Sequence, residues 1–381
     1  MTLLNDLYTP CLLLDTEKLR RNAQRMRANV TARGLAFRPH FKTVKCVEAL
    51  PLILDPAAPR LTVSTLAEAE AVLQAGVTDI LYAVGIAPNK LEAVADLLER
   101  GADLCVTVDS VPAAECLSAR FAGSALATRL RVMIEIDTDG HRAGLAPEDP
   151  ALFAVAEALG PLPIVGVMTH AGESYLARNG EEAADFARRE AEGAVRAAER
   201  LRSRDYAVPL VSVGSSPTVR FAGAVSGVTE CRAGVYALGD LFMSNIGVCD
   251  PADIALSCLV TVIGHQRARN WILTDGGWTA LSQDRSTAGQ STDWLYGQVC
   301  DVSGAPIEGL LVIKANQEHG ILSSRDGSAV PDLPWGTRLR ILPNHACAMA
   351  QHHAKIVALG PRGHETWNRV GGWAPQGRST P

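Results

Sequence analysis

Between about residues 37 and 231 the chain repeats one phrase: a short apolar run, a turn, then an Ala- and Leu-rich stretch with helical spacing. Eight strand candidates can be counted, at 37–40, 61–64, 79–83, 103–108, 130–136, 164–169, 210–213 and 228–231. Most intervals carry helical patterns, such as 91–100 and 181–202. Parallel strands need long crossovers, and eight strands alternating with helices predict an α/β architecture, a (β/α)8 TIM-type barrel. A ninth candidate, Cys-Leu-Leu-Leu-Asp at 11–15, precedes the repeat and must go elsewhere. After it Thr16 caps a helix whose apolar positions Leu19, Ala23, Met26 and Val30 recur at helical spacing.

Beyond about Asp250 the pattern changes. All six tryptophans (271, 278, 294, 335, 367, 373) lie there, and short β-like runs at 259–264, 271–274, 309–313 and 338–342 alternate with Gly, Pro, Asn and Asp turns. The expected division is a barrel over 16–250 and an all-β domain over 251–381, joined by the strand in 1–15, with a disordered tail from Ala374.

The formal charge of -5 and the absence of a basic run argue against nucleic acid and an anionic membrane surface, which leaves a small-molecule partner. The first fifteen residues lack a basic leader segment, and no apolar stretch approaches a membrane span, so the expectation is a soluble, cytoplasmic protein. Nine cysteines without CxxC pairs fit reduced thiols.

Barrel enzymes place their chemistry at the C-terminal ends of the strands, often with phosphate held after strands seven and eight. Lys42 follows the first barrel strand, in Arg38-Pro39-His40-Phe41-Lys42-Thr43-Val44-Lys45. The chain has six lysines against thirty arginines, so two lysines here mark a need for an amine that can lose its proton and act as a nucleophile. His141-Arg142 follows strand five and His170 closes strand six. Gly214-Ser215-Ser216-Pro217-Thr218 follows strand seven, where a turn leading into a helix near Pro217 can offer backbone N–H groups and hydroxyls to a phosphate. A phosphate cradle opposite a nucleophilic lysine describes a pyridoxal phosphate site.

These residues, with Thr9-Pro10, Asp139-Gly140-His141-Arg142, Thr169-His170-Ala171-Gly172, Arg232-Ala233-Gly234-Val235-Tyr236, Asn316-Gln317-Glu318-His319-Gly320 and Pro343-Asn344-His345-Ala346-Cys347, resemble the alanine-racemase-like, fold-type III pyridoxal phosphate enzymes. The similar branch holds the D-serine dehydratases, the D-threonine aldolases and above all the bacterial D-threo-3-hydroxyaspartate dehydratases. The resemblance implies that Lys42 carries pyridoxal 5'-phosphate as a Schiff base and that Arg142 contacts the cofactor's phenolic oxygen. It places His170 beside the ring, Tyr175 near the pyridine, and Gly214, Ser215, Ser216 and Tyr236 around the phosphate. It also implies a homodimer and a first strand that joins the β domain.

His345 and Cys347 are separated by one residue, so on a strand both would face one side and pair an imidazole with a thiolate, a natural set for Zn²⁺. A structural site wants four ligands, which His352 and His353 could extend; two ligands leave open positions for catalysis. The resemblance implies the catalytic Zn²⁺ pair, since its dehydratases place a His-x-Cys zinc pair at this position; its aldolases carry Asp where this chain has Cys347, which favours dehydration over aldol cleavage. The implied activity is a dehydratase (ammonia-lyase) that converts a D-3-hydroxy amino acid, foremost D-threo-3-hydroxyaspartate, to a 2-oxo acid (oxaloacetate) and ammonia. Lys42 would take the α-proton. The alternatives are a D-serine dehydratase giving pyruvate, a D-threonine aldolase, and a cofactor carrier built on the bare barrel, which the extra β domain argues against.

Overall fold

The computed structural model describes residue 4, residues 6–223 and residues 226–375; the tail expected from Ala374 lies, from residue 376 on, outside the described residues. The chain divides into two compact units. One comprises Gln24–Gly234 with the described residues from Val370, the other the described residues up to Ala23 with Val235–Arg369.

The first strand, β1 (Cys11–Asp15), belongs to the second unit. The next eight are β2 (Ala36–Pro39), β3 (Arg60–Val63), β4 (Asp79–Gly85), β5 (Asp103–Val108), β6 (Arg131–Ile136), β7 (Ile164–Thr169), β8 (Leu210–Val213) and β9 (Glu230–Ala233). They form one parallel sheet in the order β2-β9-β8-β7-β6-β5-β4-β3, and a bridge between His40 and Thr62 closes the ring. Covered on both faces, these strands read as continuous apolar runs: five of the six residues of β5 are buried. Leu81, Cys105, Met133 and Met168 form one buried cluster. Near the strands' N-terminal ends Arg38 bridges Glu230 and Asp79, each at 2.9 Å, and Arg131 reaches Asp79 at 2.8 Å.

The helix over Gly180–Arg202 is capped by Asn179. Its buried stripe is almost all alanine, Ala183, Ala187, Ala191, Ala194 and Ala198, which allows close approach, with one acid, Glu190, in the same stripe. Leu19, Ala23, Met26 and Val30 are the buried positions expected of the helix Thr16–Thr31.

The second unit holds β10 (Leu256–Gln266), β11 (Trp271–Thr274), β12 (Gln298–Cys300), β13 (Pro306–Ala315), β14 (Gly320–Ser324), β15 (Arg338–Leu342), β16 (Lys355–Gly360) and β17 (Gly363–Asn368). The order is β11-β14-β13-β12-β15-β10-β1-β16-β17, and an added β10–β11 pairing closes the first six strands into an antiparallel barrel. β1 runs antiparallel to β10 and parallel to β16, packing Leu13 against Leu259 and Val357. Four of these strands escape the sequence reading. β12 is three residues long, and β17 is a sheet-edge strand with five of six residues exposed, so neither shows an apolar alternation. No helix of the described residues is long and apolar enough to cross a membrane.

Candidate active site

At the end of β2 the chain enters a 3-10 turn over Phe41–Thr43. His40 caps it, its Nδ1 accepting the Lys42 N–H at 3.3 Å. Phe41 and Thr43 are buried while Lys42 is exposed, so the turn presents one amine. Lys45 differs: at φ 54° it turns inward, and its Nζ lies 3.1 Å from Glu68 in a buried ion pair. Its carbonyl accepts the Val370 N–H at 2.7 Å. Gly234 lets the end of β9 approach this turn, since a Cβ there would stand 3.1 Å from the Thr43 hydroxyl and 3.2 Å from His40 Cβ.

Two histidines flank the amine. His40 is pushed well below its ordinary pKa by burial, then by Lys42 and Arg232, and with Nδ1 accepting, its Nε2–H donates to Ser64 Oγ at 3.3 Å. His170, just past β7, donates from Nδ1 to the Gly214 carbonyl at 3.0 Å. Burial and the Arg142 charge push it down to about 3 against the opposing effect of that bond. Both imidazoles are therefore neutral at pH 7 among the cations Lys42, Arg142 and Arg232. The Tyr175 ring, from the 3-10 turn Gly172–Leu176, lies 6.0 Å from His170, centroid to centroid. Arg142 is exposed on the loop after β6, which is tied to the loop after β7 by His141 to Glu173 and the Glu173 N–H to Asp139, each 2.9 Å.

Gly214 has φ +140°, and a Cβ there would fall 2.1 Å from the Arg232 carbonyl, so the turn after β8 demands glycine. The helix Ser216–Phe221 begins next to Pro217, as expected, behind a capping box between Ser215 and Thr218. The backbone donors differ from expectation. The Gly214 N–H goes to Glu190 Oε1 at 2.8 Å and the Ser215 N–H to Thr218 Oγ1 at 3.0 Å, so these two N–H groups shape the turn instead of pointing at a ligand. Glu190 also accepts the Ala171 N–H at 3.1 Å, pinning the ends of β7 and β8 with one buried carboxyl, whose pKa burial raises. The Ser215 hydroxyl meets Ser174 Oγ at 2.7 Å, and Ser216 is buried. Lys42, Arg142, His170, Tyr175, Gly214, Ser215 and Ser216 thus share the C-terminal mouth of the barrel. An accessible amine, two neutral imidazoles and the cations Arg142 and Arg232 suit an aldehyde that carries phosphate and phenolate charge.

Glu190 was missed from sequence, although an acid on an otherwise alanine stripe was a usable signal. Tyr236 falls in the second unit, buried in the 3-10 turn Val235–Ala237.

In the second unit His345 and Cys347 do not sit on a strand. β15 stops at Leu342, His345 becomes the N-cap of a helix over Ala346–Gln351, and Cys347 lies in its first turn. The cause is Asp240, a fully buried carboxylate that accepts the Ala346 N–H at 2.9 Å and the Met243 N–H at 2.7 Å. The two side chains still meet. Burial lowers the His345 pKa, but bonds to Asp284 and Cys347 outweigh it and lift it to about 11. Asp284 Oδ2 lies 2.9 Å from His345 Nδ1, and that bond with those from Ser286 overcomes burial to bring Asp284 to about 2. Imidazole with thiolate is a borderline-soft donor pair that fits Zn²⁺ in place of the shared proton. Among the described residues no group of three or more His, Cys, Asp or Glu side chains is arranged to hold a metal. His353 instead donates to the Ala280 carbonyl at 2.9 Å, and Glu318 accepts from Thr279 Oγ1 at 2.9 Å on an exposed turn.

The family described as alanine racemase, N-terminal domain, matches residues 14–241, and that described as putative serine dehydratase domain matches residues 255–359. The chain is 48% identical over 375 residues to a D-threo-3-hydroxyaspartate dehydratase of Delftia sp. (strain HT23), covering 96% of this chain and 98% of that protein. The solved structure of that enzyme superposes with a TM-score of 0.94, covering 97% of this chain and 100% of the other. A cysteine-to-alanine variant of it, in the metal-free form, superposes at 0.93 with 47% identity and the same coverage. D-threonine aldolase from Filomicrobium marinum superposes at 0.80 with 27% identity and 96% of each chain covered.

Proposed function

Because the chain belongs to the family that joins an alanine racemase N-terminal domain to a serine dehydratase domain, we propose that it is a pyridoxal phosphate-dependent, Zn²⁺-assisted dehydratase of D-3-hydroxy amino acids, with D-threo-3-hydroxyaspartate foremost. The observation that carries the reading is the meeting of His345 with Cys347. An imidazole and a thiolate together are a donor pair that suits a divalent cation, and two protein ligands would leave positions for a substrate oxygen.

Bound pyridoxal phosphate supplies an electron sink for charge at the substrate Cα, and a divalent cation held by His345 and Cys347 supplies Lewis-acid stabilisation to a departing hydroxide. The chain's residues do the rest. Lys42 holds the cofactor and then, as a free amine, takes the α-proton. Arg142 would balance phenolate charge, and neutral His170, oriented by the Gly214 carbonyl, would lie beside the ring without adding charge. Tyr175 would border the pyridine, and the Gly214-Ser215-Ser216 turn would lie around the phosphate. Loss of water from Cα and Cβ leaves an enamine, which tautomerises and hydrolyses to oxaloacetate and ammonia. The expected assembly is a homodimer, at twice the 40.4 kDa chain mass in sedimentation.

The test is product analysis with D-threo-3-hydroxyaspartate, D-serine and D-threonine, each with and without a chelator. Oxaloacetate or pyruvate with ammonia, lost on chelation, supports the dehydratase and ranks its substrates. Glycine with an aldehyde makes the enzyme an aldolase despite Cys347, and no turnover with cofactor bound sinks the catalytic reading.

A further inference from the structure

Resting on the reading of His345 and Cys347 as the metal pair, we propose that Asp284 is a positioning residue for the metal: it holds the His345 ring so that Nε2 is the donor.

Asp284 lies 61 residues before His345 in the chain, yet its Oδ2 stands 2.9 Å from His345 Nδ1. The carboxylate is itself fixed. Its Oδ1 accepts the Ser286 N–H at 2.8 Å and the Ser286 hydroxyl, while the Asp284 N–H donates to Ser282 Oγ at 3.0 Å. One oxygen is thus occupied by its own loop and the other is aimed at the imidazole. An imidazole that donates from Nδ1 to a carboxylate keeps Nε2 as its lone-pair nitrogen, has a defined ring plane and is a stronger base toward a cation.

A second carboxylate works on the backbone. Asp240 holds the Ala346 N–H, between the two ligands, so the backbone at the start of the Cys347 turn is fixed by one carboxyl and the His345 ring by another. Precision matters more here than in a four-ligand site. With two protein donors, a ring that swings away removes half of what holds the ion.

The experiment titrates Zn²⁺ into full-length protein stripped of metal, in competition with a chromophoric chelator. Asp284→Asn keeps the shape of the side chain and Asp284→Ala removes it. Each is expected to raise the Kd for Zn²⁺ by about 10- to 100-fold, more for alanine, while cofactor absorbance and far-UV circular dichroism stay unchanged. In Co²⁺-substituted protein the ligand-field bands are expected to shift in both variants, a change that a merely structural role would not produce. An unchanged Kd and unchanged bands in both variants, with tight binding lost in His345→Ala, overturn the role of Asp284 and leave the metal pair standing. Tight binding retained in His345→Ala overturns the metal pair, and the inference with it.

Discussion

Two lysines three positions apart meet opposite fates, because a residue's function is set by where its atoms are held. Lys42 stands exposed on a turn whose neighbours are buried, and Lys45 is pulled into the interior by Glu68. Lys42→Ala is expected to abolish both turnover and the visible absorbance of bound cofactor; turnover that survives without that absorbance removes Lys42 from the chemistry. Glu68→Gln leaves the Lys45 ammonium buried without its counter-charge and is expected to destabilise the protein by about 3–5 kcal/mol, read from the urea midpoint. His170 supplies a pH signature. It sits at about 3 when folded against 6.5 in an unfolded chain, among Lys42, Arg142, Arg232 and His40. Between those values the unfolded state binds a proton that the folded state lacks, so stability falls as pH drops below 6.5, at up to about 1.4 kcal/mol per pH unit. Thermal melts of cofactor-free protein between pH 7 and 5 are expected to show this slope, and His170→Gln to flatten it; equal slopes rule the histidine out as its source.

At the scale of elements, the turn after β8 is built from behind. Glu190 reaches out of the long helix Gly180–Arg202 to collect the N–H groups of Ala171 and Gly214. Glu190→Ala strands two buried donors and is expected to destabilise the fold by roughly 2–5 kcal/mol and to weaken cofactor binding in a titration of the cofactor-free protein. Gly214→Ala must carry a Cβ against the Arg232 carbonyl at an unfavourable φ, so the same titration is expected to show weaker binding, with strain of about 1–3 kcal/mol or more. Binding as tight as wild type in both variants means that the turn's shape does not matter to the cofactor. The helix that replaces the expected strand at His345 and Cys347 shows how one buried acid, Asp240, redirects a segment.

At the scale of the whole molecule, the two units differ in the residue types they hold. The one built on the parallel barrel carries the exposed amine of Lys42, the imidazoles His40 and His170 and their arginines, and the one built on the antiparallel barrel carries His345 and Cys347 at the start of a helix. Removing the metal is therefore expected to abolish dehydration while the cofactor absorbance due to Lys42 persists. Simultaneous loss of both signals under chelation, followed by spectrophotometry and ammonia release, sinks that separation.

The eight barrel strands and their helices were legible in the sequence for a local reason. Strands buried on both faces must be apolar throughout, whereas composition singled Lys42 out only as a candidate and the structure adds that it stands exposed between buried neighbours. The short and edge strands of the second unit were hidden because their pairing depends on neighbours far along the chain. Glu190, Asp240 and Asp284 each act on residues 19 to 106 positions away. A carboxylate's partner at that range is decided by tertiary packing, so only the folded structure shows which acids bind distant groups and which merely face water.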